Sequence, residues 1–380
     1  MKKKKNTWIF IPMLLIYILL FQLSSTLAGL ATMVGVIVLG IGFFQEKNSK
    51  RIKNKAAVLT TLVGIFIVFG IGGLIYKPGA KGLNGTFAMK PKIANNNAAE
   101  KALNNGNNVG KVSKEEVSGD LKVHFIDVGQ ADAILIQQGS HLMLVDGGNR
   151  DDGPTVKNYL QKQGITSLDY VVGTHAHEDH IGGLAYIINN FKVGKVYFPK
   201  QTATTKTFKD FVTSVKNKGL GLTVPTIGES FNLGQANCKV LAPKSTSYED
   251  GNDYSIVIKV SFGNNSFLLT ADAEALSEKE MLSSGADLKS DLLKVAHHGS
   301  RTSTTSDFLS KVNPKYAVVS VGRDNSYNHP ALDTMNRLKA KGIQVYRTDE
   351  QGSIVAISDG KEIRFNVSPG SYGGKISAGK

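Results

Sequence analysis

Three histidines and an aspartate fall within six residues of the run Thr174-His175-Ala176-His177-Glu178-Asp179-His180, which continues into Ile181-Gly182-Gly183. Neutral imidazoles and carboxylates are ligands that suit Zn²⁺, and also Mn²⁺ or Fe²⁺. His175 and His177 are two apart, so an extended backbone turns both toward one face. Asp179 and His180 come after the chain turns and are free to address a second ion. A polar surface loop is the plain alternative, but it has no need of so many imidazoles at this spacing. Further along stand Asp272, the adjacent pair His297-His298, and His329 between Asn328 and Pro330. His329 precedes a helix and could donate to a substrate oxyanion.

These residues need elements to hold them. A strand over 168–173 must end at the histidine run, and a helix near 181–190 must leave it. Ahead of that strand, 121–126, 133–136 and 142–145 read as strands, and 154–163 as a helix with Pro154 near its first turn and Gly164 closing it. A strand over 195–198 and a helix over 205–218 follow. Residues 255–262 and 266–269 form a hairpin pattern around Gly263-Asn264-Asn265. Strands over 292–295, 316–321 and 354–357 and a helix over 331–341 complete the pattern. Periodicity alone gives a mixed α/β domain with two β-rich halves. His124 alternates within the first strand and reads as structural; His141, beside a Gly-Ser turn, reads as a solvated edge residue. The single cysteine, Cys238, opens an apolar run and reads as strand packing.

The His-x-His-x-Asp-His signature at 175–180 resembles that of the metallo-β-lactamase superfamily. Phe125-Ile126-Asp127-Val128-Gly129-Gln130-Ala131-Asp132, Leu144-Val145-Asp146-Gly147-Gly148, Leu269-Thr270-Ala271-Asp272-Ala273-Glu274 and Ala296-His297-His298-Gly299-Ser300 resemble the hydrolase domain of the ComEC competence proteins. Asn328-His329-Pro330 and Arg347-Thr348-Asp349 resemble late motifs of that branch. The resemblance covers about 120–360 and implies a four-layer αββα sandwich. It also implies two divalent metal ions, Zn²⁺ or Mn²⁺, with His175 and His177 on the first and Asp179 and His180 on the second. Asp272 would bridge them, and His297 or His298, with His297 taken as the ligand, would complete the second site. Asp179 would orient the nucleophile, while His298 and His329 would stabilise developing charge. Asp127 and Asp146 are expected to fix loops or back the ligands. The chain departs from the pattern in three places. No histidine lies between His180 and Asp272, so Asn252, Asp253 or water is left to serve the first metal. Ala131 and Ala271 stand where the branch has Gly. About three membrane spans replace the many-helix DNA channel, so translocation is not implied.

The net charge of +14 suggests nucleic acid at first sight, but residues 1–119 hold 16 Lys/Arg against 4 Asp/Glu, leaving 29 against 27 over 120–380. The excess therefore speaks of membrane topology more than of a phosphate-binding face. Residues 8–44 carry no charged side chain and are too long for one crossing; a break at Ser24-Ser25-Thr26 gives two spans, and 56–76 a third. The basic clusters at Lys2–Lys5 and Lys47–Lys55 place both in the cytoplasm and the catalytic domain outside the cell. A cleaved signal peptide ending near Leu27-Ala28-Gly29 is the competing reading, and the uninterrupted apolar sequence beyond it argues against cleavage. The expected organisation is a membrane anchor over 1–76, a flexible linker over 77–119, a hydrolase domain over 120–366 and a disordered tail over 367–380. The implied activity is that of a phosphodiesterase or nuclease, with extracellular DNA or a cell-envelope phosphoester of choline or teichoic-acid type as substrate. No nucleotide cofactor is expected, and oligomeric state is left open. A non-catalytic partner in a surface complex is the reading from a different class.

Overall fold

The computed structural model describes residues 118–375. The expected spans and most of the expected linker lie outside the described residues. Among the described residues, no helix is long and apolar enough to cross a membrane.

Two sheets face each other. The first holds β1 (Leu121–Phe125), β2 (Ile134–Gln138), β3 (His141–Val145), β4 (Ser167–Val172), β5 (Lys192–Tyr197) and β6 (Leu222–Thr223). The second holds β7 (Ser230–Leu233), β8 (Ala236–Ala242), β9 (Val257–Phe262), β10 (Asn265–Leu269), β11 (Leu292–Lys294), β12 (Tyr316–Val319) and β13 (Gln344–Arg347). Two late strands, β14 (Ile354–Ser358) and β15 (Ile363–Phe365), return to the first sheet, whose order is β15-β14-β1-β2-β3-β4-β5-β6. The second sheet runs β13-β12-β11-β10-β9-β8-β7. The two β-rich halves of the sequence are thus not two self-contained sheets. Val123 of β1 faces Ala356 of β14 across an antiparallel ladder that joins the ends of the domain.

Strand sequences here are apolar on both faces because both faces are covered. Ile134, Ile136, Met143 and Val145 pack between the sheets with Phe262, Phe267 and Leu292. Their neighbours Leu135, Leu142 and Leu144 point the other way, onto helices. These helices are α1 (Gly153–Lys162), α2 (Glu178–Ile181), α3 (Leu184–Asn190) and α4 (Lys206–Asn217). On the far side, α5 (Ala275–Ser283), α6 (Ser306–Val312) and α7 (Leu332–Ala340) cover the second sheet, and a short α8 (Thr348–Gln351) follows β13. Each fully buried Leu, Ile or Phe contributes about 1.5–3 kcal/mol, so the three cores dominate the stability of this αββα sandwich.

Two expectations are corrected. The helix near 181–190 is two helices, α2 and α3, broken at Gly182-Gly183. Gly183 packs so closely that a Cβ there would collide with the Gly147 carbonyl, and its N–H donates to Gly148 O at 3.0 Å. The tail does not begin at 367. Gly370 N donates to Val345 O (2.7 Å), Tyr372 Oη to Ile343 O (2.7 Å) and Lys375 N to Pro330 O (2.9 Å), so two backbone bonds and one side-chain bond dock this Gly/Ser-rich segment as far as Lys375.

Candidate metal centre

Each candidate residue lies in the segment that follows a strand. Asp132 comes after β1, Asp146 after β3, the run 175–180 after β4, Asp272 after β10, His297 and His298 after β11, and His329 after β12. Asp146 ties two of these loops together. Its Oδ1 accepts from Thr174 N (2.8 Å), and its Oδ2 accepts from Thr174 Oγ1 (2.7 Å) and His180 Nδ1 (2.8 Å). With Nδ1 occupied, His180 presents Nε2 to the centre, 3.2 Å from Asp272 Oδ2 and 3.8 Å from Asp179 Oδ2.

Asp179, His180, Asp272 and His298 converge, their ligand atoms all within 4.8 Å of one another. His298 is 3.2 Å from Asp179 Oδ2 and 3.7 Å from Asp272 Oδ2 through its Nε2, while its Nδ1 donates to Ser320 O at 2.9 Å. His297 lies 3.6 Å from Asp272 Oδ2 and engages Glu274 Oε1 through Nδ1 at 2.9 Å. The adjacent pair reaches one centre because both residues adopt positive φ, 49° and 52°, which splays the rings to 6.1 Å between centroids. His298 is buried and belongs to the four-residue cluster; His297, taken from sequence as the ligand, is its partly exposed neighbour. His175 and His177 do face each other, with His175 Nε2 at 3.0 Å from His177 Nδ1 and ring centroids 4.6 Å apart. His175 is buried and packs 4.2 Å from the His180 ring, whereas His177 is exposed.

Charge is organised around Asp272. Burial opposes ionisation of Asp272, but His180, His298 and His297 outweigh it and hold the carboxyl well below its ordinary range. Burial likewise opposes a proton on His180; Asp272, Asp146 and Asp179 prevail and raise its pKa well above the ordinary value. His175, buried and facing His180, is pushed well below. His180 Nε2 and Asp272 Oδ1 are buried with no hydrogen-bond partner, a state that costs roughly 1–3 kcal/mol per group unless a ligand satisfies it. Two imidazoles and two carboxylates with orphaned atoms turned inward fit a divalent cation.

Several other residues lie outside the cluster. His124 Nδ1 meets Tyr159 Oη at 3.0 Å on the helix side of β1, and His141 forms an exposed pair with Asp169 at 3.3 Å. Cys238 is buried in β8. Asp127 Oδ1 accepts from Gly129 N at 3.1 Å within its own loop. His329 sits at the rim, 5.3 Å from the His297 ring and stacked on exposed Tyr327 at 5.9 Å. Burial, then His297 and His298, press its pKa down to about 4, so the ring is neutral near pH 7.

Three supporting residues escaped the sequence reading. Lys294, fully buried on β11, pairs with Asp132 Oδ2, donates to Ala271 O at 3.2 Å and lies 4.0 Å from Asp272 Oδ1. A lysine inside the run Leu292-Leu293-Lys294-Val295 was the available signal: an ammonium there must have a buried partner. Asp132 and Glu274 stood inside quoted motifs with no role assigned. Glu274 Oε1 accepts from Thr302 Oγ1 (2.9 Å) and Asn252 Nδ2 (3.2 Å) besides engaging His297. Ala271 has φ 46°, a left-handed conformation that explains why glycine is found there in the resembling branch.

Residues 126–323 match the family described as the metallo-beta-lactamase superfamily. The chain belongs to that superfamily. Within it, the chain is 27% identical over 271 residues to ComE operon protein 3 of Bacillus subtilis, covering 67% of this chain and 35% of that protein. It is 31% identical over 238 residues to Recombination protein 2 of Haemophilus influenzae, covering 61% and 28%. Both are ComEC-type competence proteins, and the matched region spans about a third of their length. Among solved structures of the superfamily fold, the protein YhfI of Bacillus subtilis aligns with 60% of this chain and 96% of its own, at 15% identity and a TM-score of 0.40.

Proposed function

We propose that this chain is a membrane-anchored, two-cation hydrolase of phosphodiesters, with its catalytic domain outside the cell and DNA as the leading substrate. The observation that carries the hydrolase reading is the convergence of Asp179, His180, Asp272 and His298 from three distant segments of the chain. Cations bound there would supply a hydroxide near neutral pH and positive charge against the attacked group. His180 and His298 would hold the second cation with Asp179, and Asp272, whose charge also acts on His175, would be shared with the His175–His177 pair. The Ser320 carbonyl and the Asp146 carboxylate fix which ring nitrogen of His298 and of His180 faces inward. Asp179 is the partly exposed carboxylate of the cluster, with 31% of its side chain accessible, and so is the one able to orient an entering nucleophile. His329, neutral and at the rim, offers one ring N–H to a developing oxyanion. Gln130 Nε2, 3.4 Å from His329 Nδ1, helps to hold that ring in place.

The choice of DNA follows the likeness to a protein named for recombination, and the anchor is supported by the uncharged stretches 8–44 and 56–76 flanking a basic loop. Full-length chain purified in detergent, supplied with Mn²⁺ or Zn²⁺, should cleave single-stranded DNA and bis-p-nitrophenyl phosphate. His177→Ala and Asp272→Asn should each lower turnover by about a thousandfold or more; normal turnover in either variant would defeat the assignment. Cleavage of the small diester without DNA would move the substrate to an envelope phosphoester. Protease added to intact cells should remove the catalytic domain, and resistance until lysis would overturn the external location.

A further inference from the structure

The first-cation half has only two imidazoles. No histidine lies between His180 and Asp272 in the chain, and every other histidine has the place described above. The loop over 250–255 runs against these two rings. Ile256 N donates to Thr174 O at 3.0 Å, Ser255 Oγ lies 3.4 Å from His175 Nδ1, and a Cβ on Gly251 would stand 2.8 Å from His177 Nε2. Asn252 is the next residue, and it is only 7% exposed.

The amide of Asn252 has one free end. Its Nδ2 donates to Glu274 Oε1 at 3.2 Å, while its Oδ1 is buried with no hydrogen-bond partner. Turning the amide over would set that oxygen against a carboxylate already engaged with His297 Nδ1 and Thr302 Oγ1, so chemistry fixes which end is free. Asp253, the next residue, turns elsewhere: its Oδ1 accepts from Ser277 N at 3.1 Å, at the start of α5. A buried acceptor left bare is costly, and it belongs to the loop that packs against His175 and His177.

We propose that Asn252 Oδ1 is the missing protein ligand of the first cation. The first site then comprises His175, His177 and a neutral amide oxygen, with Asp272 shared between sites. The inference rests on the two-cation reading above and adds to it a ligand and a metal preference. An amide oxygen replaces the third imidazole that many members of the superfamily carry. It is a harder donor, which moves the first site from Zn²⁺ toward Mn²⁺. Glu274 also gains a purpose, since one carboxylate holds both Asn252 and His297 and thereby joins the two halves.

The test is metal binding by full-length chain in detergent, stripped of metal and titrated separately with Mn²⁺ and Zn²⁺ by calorimetry, with bound metal counted by elemental analysis. Wild type should show two unequal sites. Asn252→Ala should weaken one site for Mn²⁺ by more than about tenfold and leave the other unchanged. Asn252→His should keep two sites and shift the weaker toward Zn²⁺, a change that a merely structural asparagine would not produce. An unchanged affinity at the other site of Asn252→Ala, read in the same titration, guards against a folding failure of that variant. Wild-type affinity at both sites in Asn252→Ala, or an unchanged metal preference in Asn252→His, would overturn the inference while leaving the two-cation reading intact. Wild-type protein that takes up no cation would sink both.

Discussion

In one half of the centre, His180 is locked from behind by the Asp146 carboxylate and His298 by the Ser320 carbonyl. In the other half, His175 has only the Thr174 and Ser255 hydroxyls behind it, at 3.2 and 3.4 Å, and His177 is exposed. Ligands held by such outer partners bind metal more tightly, by about 10–100-fold in typical cases. On the two-cation reading proposed above, the difference teaches that the cations would be held unequally: a resident one around Asp179, His180, Asp272 and His298, and an exchangeable one around His175 and His177. Metal in the growth medium would then tune activity through the second of these.

The largest way to break the contrast is to remove the support under the resident half. Lys294→Met takes the ammonium away from Asp132, leaving it the more distant His180 and His298 rings at 3.9 and 3.7 Å, and breaking a buried pair from one side costs about 3–5 kcal/mol. Denaturant unfolding of the metal-free chain should show that loss, and a midpoint equal to wild type would mean Lys294 is not what compensates Asp132. A smaller effect should follow from Asp146→Ala, which frees the His180 ring without touching a ligand. Its tight site should weaken by about 10–100-fold, with the weak site less affected; equal weakening of both would erase the distinction between the halves.

The smallest effect separates scaffold from centre. His124, buried beside Tyr159 and near Lys122, has its pKa lowered by burial and then by Lys122 to about 4, against an ordinary 6.5. Between these values the unfolded chain takes up a proton that the folded chain refuses. Stability is therefore constant above pH 6.5 and falls as the pH drops toward 4. Moving from pH 7 to 5.5 should cost about 1 kcal/mol through this residue. His124→Phe should flatten that part of the acid slope, and a slope identical to wild type would assign the acid sensitivity to the centre instead.

Much of this molecule is legible in its sequence because the carriers are local. The run 175–180 declares its ligands by spacing, and Gly263-Asn264 declares the β9–β10 hairpin, with Gly263 at φ 57°. What stays hidden depends on partners far away in the chain. The return of β14 to β1 leaves no mark on the periodicity of either strand. The choice within His297-His298 depends on two left-handed residues and a carbonyl at Ser320, none of which spacing encodes. Lys294 looks like an interruption of a strand until Asp132 is set beside it.

The docked segment that ends at Lys375 reaches the rim as well as the core. Lys375 Nζ donates to Asn325 O at 3.1 Å, and Asn325 Nδ2 in turn donates to His329 O at 2.7 Å. The final described residues are thus a brace for the loop that presents Tyr327 and His329. A fragment trimmed to end at 366 would keep every ligand yet lose that brace. Affinity tags are better separated from Lys375 by a spacer than fused against it.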